Sequence, residues 1–232
     1  MVKHLSRKIH QPGRAIKPFN MNVSPSKENI LKRIRQALTQ ETPVPFPQRE
    51  VSADPVVHPL KQDIEVEFAE RFTALEGKFI YCINRQELAF QLGSLIRKMD
   101  WEKVYCVEER LKDLIIPVIG DRLYNEDLSK ADVSITGCEC LVARTGSIVL
   151  SSAQTEGRTA SVYAPIHVCI AFTSQVVYDI GDAFQQIRQE RGDRFPSVVS
   201  FATGPSRTAD IEKTLVVGVH GPKAVYLLLI ED

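Results

Sequence analysis

TGPSRTADIEKTLVVGVHGPKAVYLLLI, residues 203–230, carries the pattern from which the fold of this 232-residue chain is read. The apolar run before it (Val198, Val199, Phe201) has the composition of a strand and ends at the Gly204-Pro205 turn. Ser206, Thr208, Asp210 and Glu212 stand where a helix start needs side-chain oxygens and negative charge, so the spacing predicts a helix over 210–216. Gly218 and Gly221 bracket His220, and the run from Ala224 to Ile230 is uninterruptedly apolar, as a strand buried on both faces must be. The expected unit is strand, loop, helix, loop, strand. Ligands of open α/β sheets bind in loops at the carboxyl ends of strands, so the same segment is the first candidate site.

Upstream, strands expected at 78–83, 104–107, 167–172 and 198–201 alternate with helices expected over 64–75, 86–99, 109–115 and 180–191. Residues 140–143 and 147–152 form a hairpin-like pair around Thr145 and Gly146. This alternation implies an α/β fold with a mostly parallel sheet covered by helices on both faces. Residues 1–23 lack periodicity and are expected to be a disordered or basic arm. Ile30, Ile34 and Leu38 predict an amphipathic helix capped by Ser24 or Ser26. Pro43, Pro45, Pro47, Pro55 and Pro59 then read as an extended linker. The organisation expected is an arm to residue 23, a helix and Pro-rich linker over 24–60, and an α/β domain over 61–232.

The formal net charge of zero argues against a global attraction to nucleic acid or membrane, and no aromatic-basic interleaving supports nucleic-acid binding. The balance is uneven: residues 1–50 hold ten Lys and Arg against three Asp and Glu. No apolar run reaches the roughly 20 residues that span a bilayer, and the basic N-terminus lacks a signal-peptide apolar region. Five cysteines, an odd number set mostly in apolar runs, fit buried reduced thiols, and the expected location is the cytoplasm.

Three loops carry candidate chemistry. Gly204, Pro205, Ser206, Arg207, Thr208 and Asp210 form either a capped helix start or an anion site, with Arg207 and free N–H groups holding a carboxylate or phosphate. His220, beside Gly221, has little packing reason to stand in a glycine-flanked loop and is a candidate acid/base or ligand-orienting group. His167 opens an apolar strand and is read as a core residue. In the segment from Thr136 to Cys140, Gly137 and Glu139 lie among apolar residues, and Glu139 is either a general base or nucleophile or an exposed turn residue. The Cys138-x-Cys140 pair has no second ligand pair at metal spacing, so no metal or cofactor is expected. Thr145, Gly146 and Ser147 form a tight turn whose hydroxyls and N–H groups line the same expected cleft. The phosphate-loop, dinucleotide, G-x-S-x-G and H-E-x-x-H motifs do not occur.

SKENILKRIRQAL at 26–38, DVSITGCECLVARTGSIVLSS at 132–152, APIHVCIAF at 164–172 and GPSRTADIEKTLVVGVHGPKAVYLLL at 204–229 resemble the LUD-domain family, in particular its YkgG-like lactate-utilization protein C branch. The resemblance implies a Rossmann-like sheet similar to the ribose-phosphate isomerase and CoA-transferase-like folds. It also implies a part in oxidising L-lactate to pyruvate beside two partners that carry iron–sulfur clusters. Lacking a cluster motif, the chain is then the cluster-free accessory or substrate-binding subunit. The family usually has an acid just before its Thr-Gly turn, where this chain has Arg144. Two alternatives stand beside this one: an independent enzyme on a CoA ester or sugar phosphate with Glu139 as nucleophile or base, or a regulatory module docking through its basic helix.

Overall fold

The structure is a computed structural model that describes residues 25–39, 62–154, 157–211, 214–218 and 220–232. The arm at 1–23 and the Pro-rich segment at 42–59 lie outside the described residues. The N-terminal helix, α1 (Pro25–Thr39), occupies the span that Ile30 and Ile34 predict. It belongs to a different compact unit from the rest of the chain, which runs from His58 to Asp232.

The larger unit is built on a five-stranded parallel sheet in the order β1 (Lys78–Cys82), β11 (Ala224–Ile230), β6 (Ile166–Phe172), β3 (Val133–Thr136) and β2 (Val104–Tyr105). The two seven-residue strands β11 and β6 pair along their whole length, from Ala224 opposite Ile166 to Ile230 opposite Phe172. Side chains alternate across a strand, and in β11 both sets are apolar. Tyr226, Leu228 and Ile230 enter one core, which Leu88, Leu92 and Ile96 of α3 (Arg85–Met99) and Leu111, Ile115 and Ile119 of α4 (Glu109–Ile119) complete. Val225, Leu227 and Leu229 enter a second core on the opposite face.

That second core is closed mainly by another sheet. A four-stranded mixed sheet runs β7 (Val176–Val177), β4 (Cys140–Val142), β5 (Ser147–Ser151), β8 (Val199–Ala202). Leu141, Ile148 and Leu150 face the parallel sheet, joined by Phe68 and Phe72 of α2 (Ile64–Ala74). Cys140, Val142 and Val149 face the other way and are covered by Ala183 and Ile187 of α6 (Ile180–Arg191). The expectation of helices on both faces of the parallel sheet is therefore corrected. Strands β4 and β5 are apolar on both sides, so they need two covers, and the parallel sheet is one of them.

The second correction concerns residues 210–216. The described residues among them are strand, not helix: β9 (Arg207–Ile211) and β10 (Thr214–Val217) pair antiparallel, with Thr214 opposite Ile211 and Val217 opposite Arg207. Thr208, Ile211, Thr214, Val216 and Val217 are β-branched, a class that loses side-chain freedom in a helix and fits a pleated surface. Thr208 and Asp210, which look like part of a helix start, lie on β9 instead. The segment from β8 to β11 thus links two different sheets rather than forming one β-α-β unit.

Gly77 and Gly146 let α2 lie against these sheets. A Cβ on Gly77 would stand 2.5 Å from the Phe72 ring, and Gly146, at φ +60°, would place one 2.6 Å from the Phe72 backbone nitrogen. Phe72 is fully buried and stacks on Phe68 at 5.5 Å between ring centroids. Phe72→Ala is expected to cost about 3–5 kcal/mol in urea unfolding; a loss below about 1 kcal/mol would place the ring outside the core.

Candidate functional site

The loop 203–206 lies beside Gly218 and residues 220–222. The Ser206 N–H donates to the Pro222 carbonyl at 3.0 Å and the Gly218 N–H to the Ser206 carbonyl at 3.0 Å. A Cβ on Gly221 would meet the Ser206 Cβ at 2.9 Å, so this approach needs glycine. Gly204, at φ +86°, sits where a Cβ would fall 2.5 Å from the Leu75 carbonyl oxygen, and Pro205 is buried beside it. Between this pair of loops, β8 and α5 (Gly157–Tyr163) lies a cleft of about 230 Å³, lined by Gly204, Ser206, His220, Gly221, Ser161, Ser200 and, from the start of β6, His167. Val162, His220 and Gly221 also border a neighbouring cleft of about 440 Å³ that includes Lys223. Both clefts lie toward the amino ends of β6 and β11, opposite to the expected carboxyl end.

His167 is 1% exposed. The alternation of β6 sets it on the same side as Cys169 and Ala171, which face the second sheet. Its Nε2 lies 2.8 Å from Thr136 Oγ1, and that hydroxyl donates to the Gly137 carbonyl at 2.9 Å. The single hydroxyl proton is thereby used, so Nε2 carries the proton and donates to Thr136. Nδ1 is then a bare acceptor, and it has no partner. Burial pushes the His167 pKa down to about 4, which keeps the ring neutral at physiological pH.

The other predicted residues meet in different places. The buried Glu139 carboxylate accepts from Ser151 Oγ at 2.5 Å and from Arg191 Nη2 at 3.0 Å to both oxygens. None of these partners lines the His220 cleft, so the two acid/base candidates do not share it. Glu139 is occupied by its ion pair, which leaves it neither an exposed turn residue nor an unengaged nucleophile. Gly137 packs beneath a second ion pair: its N–H donates to Glu108 Oε1 at 2.9 Å, while Arg110 Nε donates to Glu108 Oε2 at 2.9 Å. Arg191, Arg110, Glu108 and Gln154 border a separate cleft of about 510 Å³. Nothing in the local sequence around Glu108 or Arg191 links them to Gly137 and Glu139, because the partners lie 29 and 52 residues apart.

Thr145, Ser147 and Thr203 form a hydroxyl chain, at 2.7 Å and 2.9 Å, so the two loops expected to share a cleft do touch. Arg207 turns away from the His220 cleft: its Nη2 lies 3.1 Å from the Leu75 carbonyl and 3.2 Å from Glu76, at the carboxyl end of α2. A cation there complements the helix dipole. Thr208 and Asp210 lie on β9. Arg144, which replaces the acid expected before the Thr-Gly turn, pairs with Asp179 at 2.6 Å; hydrogen bonds from Arg144 hold the Asp179 carboxyl below the usual range. Cys138 and Cys140 face different cores, so they cannot bind one ion together, and Cys138 instead contacts Cys169. Among the described residues no group of three His, Cys, Asp or Glu is placed to hold a metal ion.

Residues 120–230 match the LUD domain. The match covers just under half of the chain. The domain match begins where α4 ends and takes in every candidate residue named above except Glu108, Arg110 and the α2 contacts. The chain is 42% identical over 103 residues to Lactate utilization protein C of Bacillus subtilis, an alignment that covers 43% of each chain. It is 36% identical over 115 residues to the protein of that name from Halalkalibacterium halodurans, covering 49% of this chain and 50% of the other. The chain thus spans about half the length of these relatives. With Lactate utilization protein C of an Exiguobacterium species the identity is 28% over 230 residues, covering 92% of this chain and all of the other. A crystal structure of a DUF162 family protein from Deinococcus radiodurans superposes with a TM-score of 0.54 at 19% identity, covering 74% of this chain and 99% of that one, and shares the fold.

The buried groups His167 and Glu139 predict two measurable effects. His167 titrates near 6.5 when unfolded and near 4 when folded. Between those values the unfolded chain takes a proton that the folded chain refuses, so its contribution is complete above about pH 6.5 and shrinks as pH falls towards 4. Wild type should lose about 3 kcal/mol more than His167→Gln over that window in urea unfolding; parallel curves would refute the neutral buried ring. Arg191→Met strands the Glu139 carboxylate and should cost about 3 kcal/mol at pH 7, with a loss under about 0.5 kcal/mol contradicting the pair.

Proposed function

We propose that the protein serves lactate utilization as a cluster-free accessory or substrate-binding subunit in the oxidation of L-lactate to pyruvate, working in the cytoplasm with iron–sulfur partner proteins. The observation that carries this reading is the similarity to proteins named Lactate utilization protein C, one of which aligns over 92% of the chain. The cysteines agree with it: all five are buried and free, and burial raises the thiols of Cys82 and Cys106 to about 11, so they are poorly suited as the thiolates a cluster takes. Its own binding site is the cleft that Gly204, Ser206, His220 and Gly221 help to line, with a small carboxylate as ligand. The Rossmann-like parallel sheet is in keeping with a relation to ribose-phosphate isomerase and CoA-transferase-like folds.

An independent enzyme acting on a CoA ester or sugar phosphate through Glu139 is the weaker reading, because Arg191 and Ser151 already engage that carboxylate. In the source organism, deletion of the gene is expected to abolish growth on L-lactate while sparing growth on pyruvate, and tagged protein is expected to co-purify with iron–sulfur proteins. Unimpaired growth on lactate would overturn the assignment.

A further inference from the structure

His167 gives this cleft a buried acceptor atom that no hydrogen bond in the described residues engages. The ion pairs of Glu139 with Arg191 and of Glu108 with Arg110 form within the protein, and the buried atoms left without a hydrogen-bond partner beside them, Arg191 Nε and Gln154 Nε2, are donors. His167 Nδ1 is a buried ring nitrogen without a hydrogen-bond partner, on a residue that lines the cleft. Its tautomer follows from counting donors. If Thr136 donated to Nε2, the Gly137 carbonyl would lose its hydroxyl partner and Nδ1–H would become a buried donor without an acceptor. With Nε2–H donating to Thr136, both of those bonds stand and only a lone pair is left over. Orphaned N–H groups are the rarer and costlier case.

A bare acceptor at the floor of a cleft selects a ligand with an O–H or N–H to give. The cleft's volume of about 230 Å³ falls below the range of roughly 300–1,000 Å³ for drug-sized ligands, which points to a metabolite of few heavy atoms. Its walls are mixed: Leu150, Phe201 and Val225 are apolar, while Ser161, Ser200 and Ser206 supply hydroxyls. Towards solvent it shares His220 and Gly221 with the cleft that holds Lys223. The stem of Lys223 lies against Gly218, where a Cβ would stand 2.2 Å from Lys223 Cγ, so the ammonium is carried on a stem packed against this loop. A cation in the adjoining cleft and an acceptor on a residue lining this one match a small molecule that carries both a carboxylate and a hydroxyl.

We propose that this cleft binds a small 2-hydroxy acid, its hydroxyl donating to Nδ1 of His167 and its carboxylate directed to His220 and Lys223. The assignment rests on the lactate-utilization reading for its choice of acid over other hydroxylated molecules. His167 is here a binding residue, and no bond is made or broken.

The test uses the full chain with 15N-labelled histidine, followed by NMR and thermal unfolding with L-lactate, glycolate, pyruvate, acetate and glycerol added separately. The free protein should show a pyridine-like Nδ1 and a pyrrole-like Nε2 at His167. L-lactate and glycolate should move the Nδ1 resonance and raise the melting temperature, with pyruvate and acetate, which lack the hydroxyl, far weaker. His167→Gln retains an N–H donor for Thr136, while its amide oxygen cannot occupy the ring position of Nδ1, and it should weaken L-lactate binding about tenfold. A protonated Nδ1 in the free wild type overturns the proposal whether or not the variant folds. Equal responses to lactate and pyruvate, a response to glycerol alone, or silence of all probes would each overturn it too. Such a failure, with growth on lactate still lost on deletion, would remove the site and leave the cellular role; binding with growth unimpaired would do the reverse.

Discussion

Strand β11 is apolar on both faces, and that single fact organises the larger unit. Tyr226, Leu228 and Ile230 have to be covered on one side, and Val225, Leu227 and Leu229 on the other. Helices α3 and α4 supply the first cover and a second sheet supplies the other. Because the second sheet is apolar on its far side as well, α6 closes the stack. Two sheets packed face to face leave a seam, and the amino ends of β6 and β11 open into it. The cleft lies in that seam, walled by β8 and by the loops that carry the chain from one sheet to the other.

Along the seam, polar groups fall into two kinds. Glu139, Glu108 and Asp179 are matched by Arg191, Arg110 and Arg144, all within the protein. Truncating one member of a buried pair strands the other, so these groups answer for stability. His167 differs in kind: one nitrogen is engaged by Thr136 and the other is an unpartnered acceptor, whereas the buried unpartnered atoms of Arg191, Arg122 and Gln154 are donors. A buried polar atom left over after every local partner has been counted calls for an explanation outside the chain. His220, exposed at the loop beside it, supplies polarity without constraint.

Much of this fold was legible in the sequence. β11 and α6 occupy the residues that their patterns predict, and β6 begins one residue early. The hairpin of β4 and β5 turns at Thr145 and Gly146 as read, because a left-handed glycine between two apolar runs leaves few other solutions. The β9–β10 hairpin was missed because a Ser-Thr-Asp-Glu cluster is good helix-cap chemistry locally, while the pairing that decides the matter is only visible once both strands exist. The second sheet was missed as a layer because its strands are short and dispersed from residue 140 to residue 202. For the candidate site, Gly204, Ser206, His220 and Gly221 do meet in one cleft, whereas Arg207 reaches α2. His167 looked like a core residue and is buried as one. What a sequence cannot display is that its strand neighbour Thr136 satisfies one nitrogen and nothing satisfies the other.

The central claim is that the seam between the two sheets is a ligand site whose floor is an unpaired histidine nitrogen. Its most direct measurement is the crystal structure of the protein soaked with L-lactate at high resolution. Ligand density is expected between β8 and the 220–222 loop, with a hydroxyl oxygen within hydrogen-bonding distance of His167 Nδ1. Lactate bound instead beside Arg110 and Arg191 with the seam empty, or a water alone on Nδ1 at saturating lactate, would contradict it.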